Sequence, residues 1–105
     1  MADPYDPTVG LFAISVAADM VGTGVQNLRA YEKAGLVDPQ RTPGGTRLYS
    51  LEDIERLRQI AALLDEGLNL AGISMVLRLE ADNARLRRQI SAARDRRRRT
   101  GLTDR

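Results

Sequence analysis

Glycine and proline divide this chain into segments whose lengths restrict it to a small helical fold. Gly22, Gly35 and Gly67 each follow a stretch of helical periodicity, at the place where a left-handed residue commonly ends a helix. A Pro-Gly-Gly sequence at 43–45 is a strong turn signal, whereas no Gly or Pro occurs between residues 73 and 100. We therefore predict short helices, one tight hairpin and a long last helix within one modest domain of 105 residues.

The first two helical segments begin at residues suited to capping. Ser15 is a good N-cap for a helix over 16–21, and Thr23 can cap a second helix over 24–34. The residues expected to face inward recur at helical spacing: Val16, Ala17 and Met20, then Val25, Leu28 and Tyr31.

The connection between these helices has the spacing of a helix-turn-helix unit. Ala18 is small enough to let the helices approach, Gly22 makes the turn, and Leu28 fills the crossing. Short helical hairpins with glycine turns are common, so this spacing alone is a moderate signal.

The Pro-Gly-Gly turn is flanked by short alternating segments, which predicts a two-stranded hairpin. A hairpin that directly follows a helix-turn-helix is a wing. Ser50 and Asp53 then have the spacing of a capping box for a third helix over 51–66. The residues expected to complete the core from this helix are Leu51, Ile54, Leu57, Ala61 and Leu64.

The last helix carries two apolar spacings of seven, offset by three, as in the a and d positions of a coiled coil. Asn69 is its expected N-cap. The seam predicts a homodimer; the alternative is one amphipathic helix lying on its own domain. Whether the helix is continuous through 80–83 stays open, and the arginine-rich residues 94–99 should fray. The seam residues, which we predict to form the dimer interface, are Val76, Leu79, Asn83, Leu86, Ile90 and Ala93.

The composition removes most catalytic and metal chemistry. The chain has no Cys and no His, which excludes disulfides, cysteine nucleophiles, imidazole bases and zinc sites of the usual kind. We expect no enzyme activity, no cofactor and no metal.

The net charge is only +2, but the chain has fifteen Arg and a single Lys, and Arg is the better bidentate partner for phosphate and guanine. A GC-rich genome would produce the same bias.

No segment directs the chain to a membrane. The apolar stretch over 9–21 is interrupted by Ser15 and Asp19, and no basic residue precedes it. No run approaches the roughly 20 apolar residues that a membrane span needs. We expect a soluble, cytoplasmic protein.

Several of these segments together resemble the MerR family of bacterial transcription regulators, over roughly residues 13–79. Residues 65–73, DEGLNLAGI, look like the heat-shock repressor (HspR) branch in particular. The resemblance implies a winged helix-turn-helix fold, a homodimer joined by an antiparallel coiled coil, and binding to an inverted-repeat operator in the nucleoid. The segments that carry it are ISVAA at 14–18, NLRAYE at 27–32, GLV at 35–37, GGTRLYS at 44–50 and DIERL at 53–57.

Several residues depart from the family pattern, and these differences argue against sensing of a metal or a small molecule. Ala30 stands where many members have an aromatic residue, and Thr46 stands where many have one before the wing arginine. The cysteines of metal-sensing members are absent, and about 25 residues follow Leu79, too few for the effector domain of drug-sensing members. Repressors of the HspR branch are modulated by a chaperone of the DnaK type, so a chaperone or other protein is an open partner, although no motif here matches that role.

The candidate DNA contacts on the second helix are polar. Arg29 lies opposite Leu28 and is expected to reach a guanine edge or a phosphate in the major groove. Gln26 and Asn27 lie near the helix N-terminus, where each either pairs with adenine or is an ordinary surface amide. Lys33 is either a phosphate contact or a solvated charge.

The remaining candidates lie at or beside the wing. Arg41 and Arg47 flank its turn and suit phosphates or the minor groove. Tyr31 and Tyr49 can donate their hydroxyls to phosphates or pack their rings between the wing and the second helix, and the two roles are compatible.

These inferences predict a mainly α protein, a winged helix-turn-helix with a two-stranded wing and a C-terminal dimerisation helix. Its function would be that of a sequence-specific transcription regulator, most simply a repressor that binds operator DNA as a homodimer. The alternatives are an architectural, excisionase-type DNA-binding protein and a MerR-like module that binds a chaperone. The predicted division is a flexible lead-in at 1–12, a DNA-binding domain at 13–79, a coiled-coil dimerisation helix at 80–98 and a disordered tail at 99–105. A short anchoring strand at 11–14 is expected where the lead-in ends.

Overall fold

Four helices and one two-stranded antiparallel hairpin make up the structure, a computed structural model that describes residues 6–100. This is the mainly α, winged helix-turn-helix architecture that the sequence predicts. The chain divides into two compact units, of which the first ends at Ser74 and the second begins at Met75. In chain order the elements are α1 (Ile14–Val21), α2 (Val25–Lys33), β1 (Gln40–Arg41), β2 (Arg47–Leu48), α3 (Leu51–Asp65) and α4 (Leu70–Thr100).

The turn between α1 and α2 is made as the sequence predicts. Gly22 has a φ of 83°, and its N–H and that of Thr23 both donate to the Ala18 carbonyl, at 2.9 and 3.0 Å. Ala18 is 2% exposed and Leu28 is fully buried. A small residue at the crossing, a left-handed glycine in the turn and a large apolar residue beyond it therefore fix this helix pair.

Both predicted N-caps of these helices are wrong. Helix α1 begins at Ile14, and its N-cap is Ala13, without a side-chain hydrogen bond, so Ser15 lies inside the helix. The chain leaves an extended segment at Phe12 and enters the helix at once, which leaves no room for a later cap. Helix α2 has Gly24 as its N-cap, again without a side-chain bond.

The wing pairs Gln40 with Leu48 and Arg41 with Arg47. Its turn is closed by the Thr42 N–H, which donates to the Thr46 carbonyl at 2.9 Å. These contacts confirm the hairpin predicted from the Pro-Gly-Gly sequence.

The residues before α1 are bound to the wing. Phe12 and Tyr49 form an isolated antiparallel bridge, with hydrogen bonds of 2.9 and 2.7 Å between them. The Gln40 side chain accepts from the Gly10 N–H at 2.7 Å and donates to the Thr8 carbonyl at 3.3 Å. The bridge at Phe12 lies within the short anchoring strand predicted at 11–14, whereas the contacts of Gln40 with Gly10 and Thr8 were not predicted for the lead-in. Residues 1–5 lie outside the described residues.

Helix α3 begins with the predicted capping box. The Ser50 hydroxyl accepts from the Asp53 N–H and the Asp53 carboxylate accepts from the Ser50 N–H, each at 3.0 Å. The inward face is rotated from the predicted one, because Ile60 is fully buried while Leu51 is 43% exposed. Val16 in α1 is similarly 46% exposed and does not face the core. The large, fully buried side chains of the described residues are Leu28, Tyr49, Ile54, Leu57, Ile60 and Ile73.

Helix α4 is continuous from Leu70 to Thr100, including residues 80–83. The Asn69 side chain accepts from the Gly72 N–H at 2.8 Å, which confirms it as the cap. The arginine-rich residues 94–99 are helical and include an Arg98–Asp95 ion pair of 3.8 Å, so the structure differs from the predicted fraying. Of the predicted disordered tail, residues 99 and 100 are helical and 101–105 lie outside the described residues.

Candidate nucleic-acid interface

Helix α2 presents a polar face to solvent. Leu28 and Tyr31 are buried, whereas Gln26, Arg29 and Lys33 are exposed. The exposed three are separated by three and four residues and therefore share one side of the helix. This side carries two positive charges and one amide, a composition that suits the edge of a DNA groove.

Asn27 is exposed but has a local partner. Its side-chain N–H donates to the Thr23 hydroxyl at 2.7 Å. Thr23 therefore bonds to α2 through the Asn27 side chain, whereas the N-cap position of that helix is Gly24. Asn27 is thus a surface amide with a local partner in this structure, and its contact with adenine stays a prediction.

Both tyrosines lie in the core rather than on the surface. Tyr31 is 5% exposed and Tyr49 is fully buried, so the Tyr49 hydroxyl cannot reach a phosphate in this conformation. That hydroxyl has no hydrogen-bond partner. Burial raises the pKa of the Tyr49 hydroxyl above its ordinary value, and the nearby negative charge of Glu32 adds to the increase. The packing role that the sequence allowed for Tyr49 therefore describes it, and the phosphate role does not.

The wing arginines lie against an acidic residue of helix α2. Arg41 Nη2 donates to Glu32 Oε2 at 2.8 Å, and Arg47 Nε donates to Glu32 Oε1. The side chain of Glu32 is 18% exposed, that of Arg47 29% and that of Arg41 48%. The wing is therefore joined to the helix by a cluster of two positive charges and one negative charge.

Two opposing effects set the pKa of Glu32. Burial of the Glu32 carboxylate raises its pKa, but hydrogen bonds from Arg47 and Arg41 and their positive charges outweigh burial, and the pKa lies below its ordinary value. Glu32 is therefore ionised at neutral pH. No functional role was predicted for Glu32 from the sequence. The only signal in the sequence is that the charge of Glu32 is opposite to that of the two wing arginines. Whether Glu32 pairs with them depends on how the wing folds back on α2.

The second unit exposes the predicted seam. Leu79, Leu86 and Ile90 are 60%, 50% and 52% exposed, and Asn83 is also exposed. Val76 and Ala93 are partly exposed. Met75, which was not predicted as part of the seam, is 58% exposed. An apolar row of this length on one helix is the kind of surface that marks an interface.

Between residues 6 and 100, no group of three or more acidic, cysteine or histidine side chains could hold a metal ion. Within the same range, no helix is long and apolar enough to cross a membrane.

Residues 12–80 match the family of MerR HTH family regulatory proteins. The chain is 48% identical over 87 residues to the heat shock protein HspR of Streptomyces coelicolor, covering 80% of this chain and 58% of that protein. It is 45% identical over 67 residues to the transcriptional regulator GlnR of Bacillus anthracis, covering 64% of this chain and 52% of that protein. The chain thus spans little more than half the length of these two relatives.

Among solved structures, the fold resembles HiNmlR, a MerR family regulator that lacks the sensor domain and is bound to promoter DNA. The TM-score is 0.57 at 21% identity, covering 80% of this chain and 76% of that one. At this identity the likeness concerns the fold alone.

Proposed function

This chain belongs to the MerR family of helix-turn-helix regulatory proteins, and on that premise we propose that it is a transcription regulator that binds operator DNA as a homodimer. Membership in a family of regulators, rather than of enzymes, agrees with the absence of Cys and His. The observation that carries the proposal is the exposed polar face of α2, Gln26, Arg29 and Lys33, beside the arginines of the wing.

On this proposal, helix α2 enters the major groove. Arg29 lies in the middle of the exposed face and would contact a guanine edge or a phosphate, while Gln26 near the N-terminus would read a neighbouring base. Lys33 and the wing arginines would contact phosphates on either side. A HiNmlR complex with promoter DNA is a precedent for DNA binding by this fold.

The second half of the proposal is an antiparallel dimer of α4. The seam is self-complementary in that direction, because Leu79 of one copy would lie against Ile90 of a second copy and Val76 against Ala93. Asn83 would lie beside Leu86, where a polar residue fixes register at some cost in stability. The exposed leucines support this arrangement, since burying each would contribute up to about 1.5–3 kcal/mol.

We further propose repression as the direction of regulation and heat-shock genes as targets, following the likeness to HspR. The protein would then act in the bacterial cytoplasm, at the nucleoid. A chaperone or another protein could modulate it. An excisionase-type protein would instead occupy several direct repeats without an effect on transcription, and a chaperone-binding module would not need Arg29.

The direct test is a titration of wild-type protein and Arg29→Ala with DNA from its own upstream region. Three or four phosphate-contacting cations per subunit, depending on whether Arg41 contacts DNA, predict a steep salt dependence, of order six to eight counterions released per dimer. Arg29→Ala should weaken specific binding by roughly fivefold or more per half-site. Absence of wild-type binding at low salt, or equal binding by Arg29→Ala, would contradict the proposal.

A further inference from the structure

The two wing arginines use their donors differently. Arg41 donates from Nη2 to Glu32 at 2.8 Å and from Nη1 to the Gly45 carbonyl at 3.3 Å. Arg47 donates to Glu32 from Nε, and among the described residues its two terminal nitrogens have no partner. A guanidinium offers five N–H donors in a planar fork. Both terminal nitrogens of Arg41 therefore have a partner within the protein, whereas both terminal nitrogens of Arg47 lack one in the described part of the chain, although Arg47 is the less exposed side chain.

A guanidinium whose Nε is bonded to a carboxylate of the protein can still bind a ligand through its two terminal nitrogens. The outer edge of Arg47 presents two parallel donors, the arrangement that binds phosphate or the edge of guanine bidentately. Because Glu32 already restrains the side chain, less conformational freedom is lost when DNA binds. The cluster keeps one net positive charge, so the carboxylate does not remove the attraction to DNA.

We propose that Glu32 is a positioning residue for DNA binding: it orients the Arg47 guanidinium so that its terminal nitrogens receive a phosphate or base edge, while Arg41 braces the wing turn. This inference rests on the proposed function. It assigns DNA contact to Arg47 and a supporting role to Arg41, although the sequence placed both on the same surface.

The opposite role would be competition, in which the carboxylate occupies arginines that DNA needs. The two roles predict opposite signs for Glu32→Gln. Positioning predicts weaker binding, roughly 5- to 100-fold for a dimer in which two arginines lose their restraint. Competition predicts tighter binding and a steeper salt dependence, because two negative charges leave the interface. Glu55→Gln makes the same change in net charge at an exposed position of α3 and is the control.

The salt dependence separates the two arginines. Arg47→Ala should reduce the salt slope of the dimer by roughly two, one phosphate contact per subunit, whereas Arg41→Ala should weaken binding with little change in slope. Glu32→Gln should lose most of its effect in the Arg47→Ala background, because the side chain that it orients is gone and only its pair with Arg41 remains. A purely structural role of Glu32 would still reduce binding in that background.

The experiment is a fluorescence titration of wild type, these variants and the double variant on one operator across a salt series, with thermal unfolding of each protein. Tighter binding by Glu32→Gln, equal slope changes for Arg41→Ala and Arg47→Ala, or an undiminished effect of Glu32→Gln in the double variant would overturn the inference. If Glu32→Gln unfolds, Glu32→Asp replaces it: the shorter side chain keeps the charge but no longer reaches Arg47, so positioning predicts weaker binding and competition predicts binding as tight as or tighter than wild type. Wild-type protein that binds no DNA would overturn the proposed function as well, whereas the other outcomes leave that function intact.

Discussion

The residues up to Ser74 and those from Met75 onward differ in how many of their large apolar side chains they bury: the first unit buries many, whereas Leu77 is the only buried one among residues 75–100. In the first unit, Leu28 and Leu57 are fully buried. In the second, Leu79 and Leu86 are 60% and 50% exposed. The first unit therefore has a core of its own, whereas the second exposes the apolar side chains that the proposed dimer would bury. The difference teaches that folding and dimerisation should respond to different substitutions.

The largest effect is expected from a cavity in the first unit. Leu57→Ala removes a fully buried side chain and should lower the free energy of unfolding by about 2–5 kcal/mol. Urea unfolding followed by circular dichroism, at a concentration where the chain is monomeric, measures the loss. A loss below about 1 kcal/mol would mean that this unit is not packed as described.

The same substitution in the second unit should act on association. Leu86→Ala should leave monomer unfolding almost unchanged but weaken the dimer by about 2 kcal/mol for two half-exposed leucines, roughly a 30-fold rise in the dissociation constant. Sedimentation equilibrium measures this constant, with Arg88→Ala as an exposed substitution away from the seam. An unchanged constant would remove the seam from the interface.

A smaller effect tests the turn of the first unit. Gly22 has a φ of 83° and open space around its missing Cβ, so Gly22→Ala should cost about 1–2 kcal/mol through the backbone alone. Gly44 has no positive φ and only an ordinary contact at 3.8 Å, so Gly44→Ala should be nearly neutral. Equal losses for the two variants in thermal unfolding would contradict the left-handed turn.

The smallest effect concerns pH. Because the folded protein lowers the pKa of Glu32, its contribution to stability is fully present above the unfolded value, about 4.3, and is lost as the pH falls through the lower folded value. The free energy of unfolding of Glu32→Gln should therefore differ most from that of wild type near neutral pH, and the two values should converge in acid. Unfolding from pH 7 to pH 3 measures this, with Glu55→Gln as the control. A difference in unfolding free energy that grows as the pH falls would contradict the pairing of Glu32 with the wing arginines.

Local signals in the sequence predicted much of this fold. The turn at Gly22, the capping box of Ser50 and Asp53, and the wing around residues 43–45 depend on neighbours only a few positions apart. The cap at Ser15 was wrong because a distant contact decided it: the bridge between Phe12 and Tyr49 places the helix start earlier.

The sequence was enough to predict which cations of the candidate site are exposed. It was not enough to predict how the side chains of the site contact one another. Arg29 and Lys33 lie on the solvent face of α2, as helical periodicity indicates. The cluster that joins Glu32 to Arg47 spans 15 residues and depends on how the wing folds back, which no local pattern encodes. The burial of Tyr49 likewise follows from the packing of distant segments.

The most direct test of a dimeric operator-binding protein is a hydroxyl-radical footprint of the full chain on a site identified by genome-wide mapping. The account predicts two equal protected patches related by two-fold symmetry, with centres about 10 base pairs or a multiple apart. Protection of a single patch, or of several direct repeats in one orientation, would contradict it.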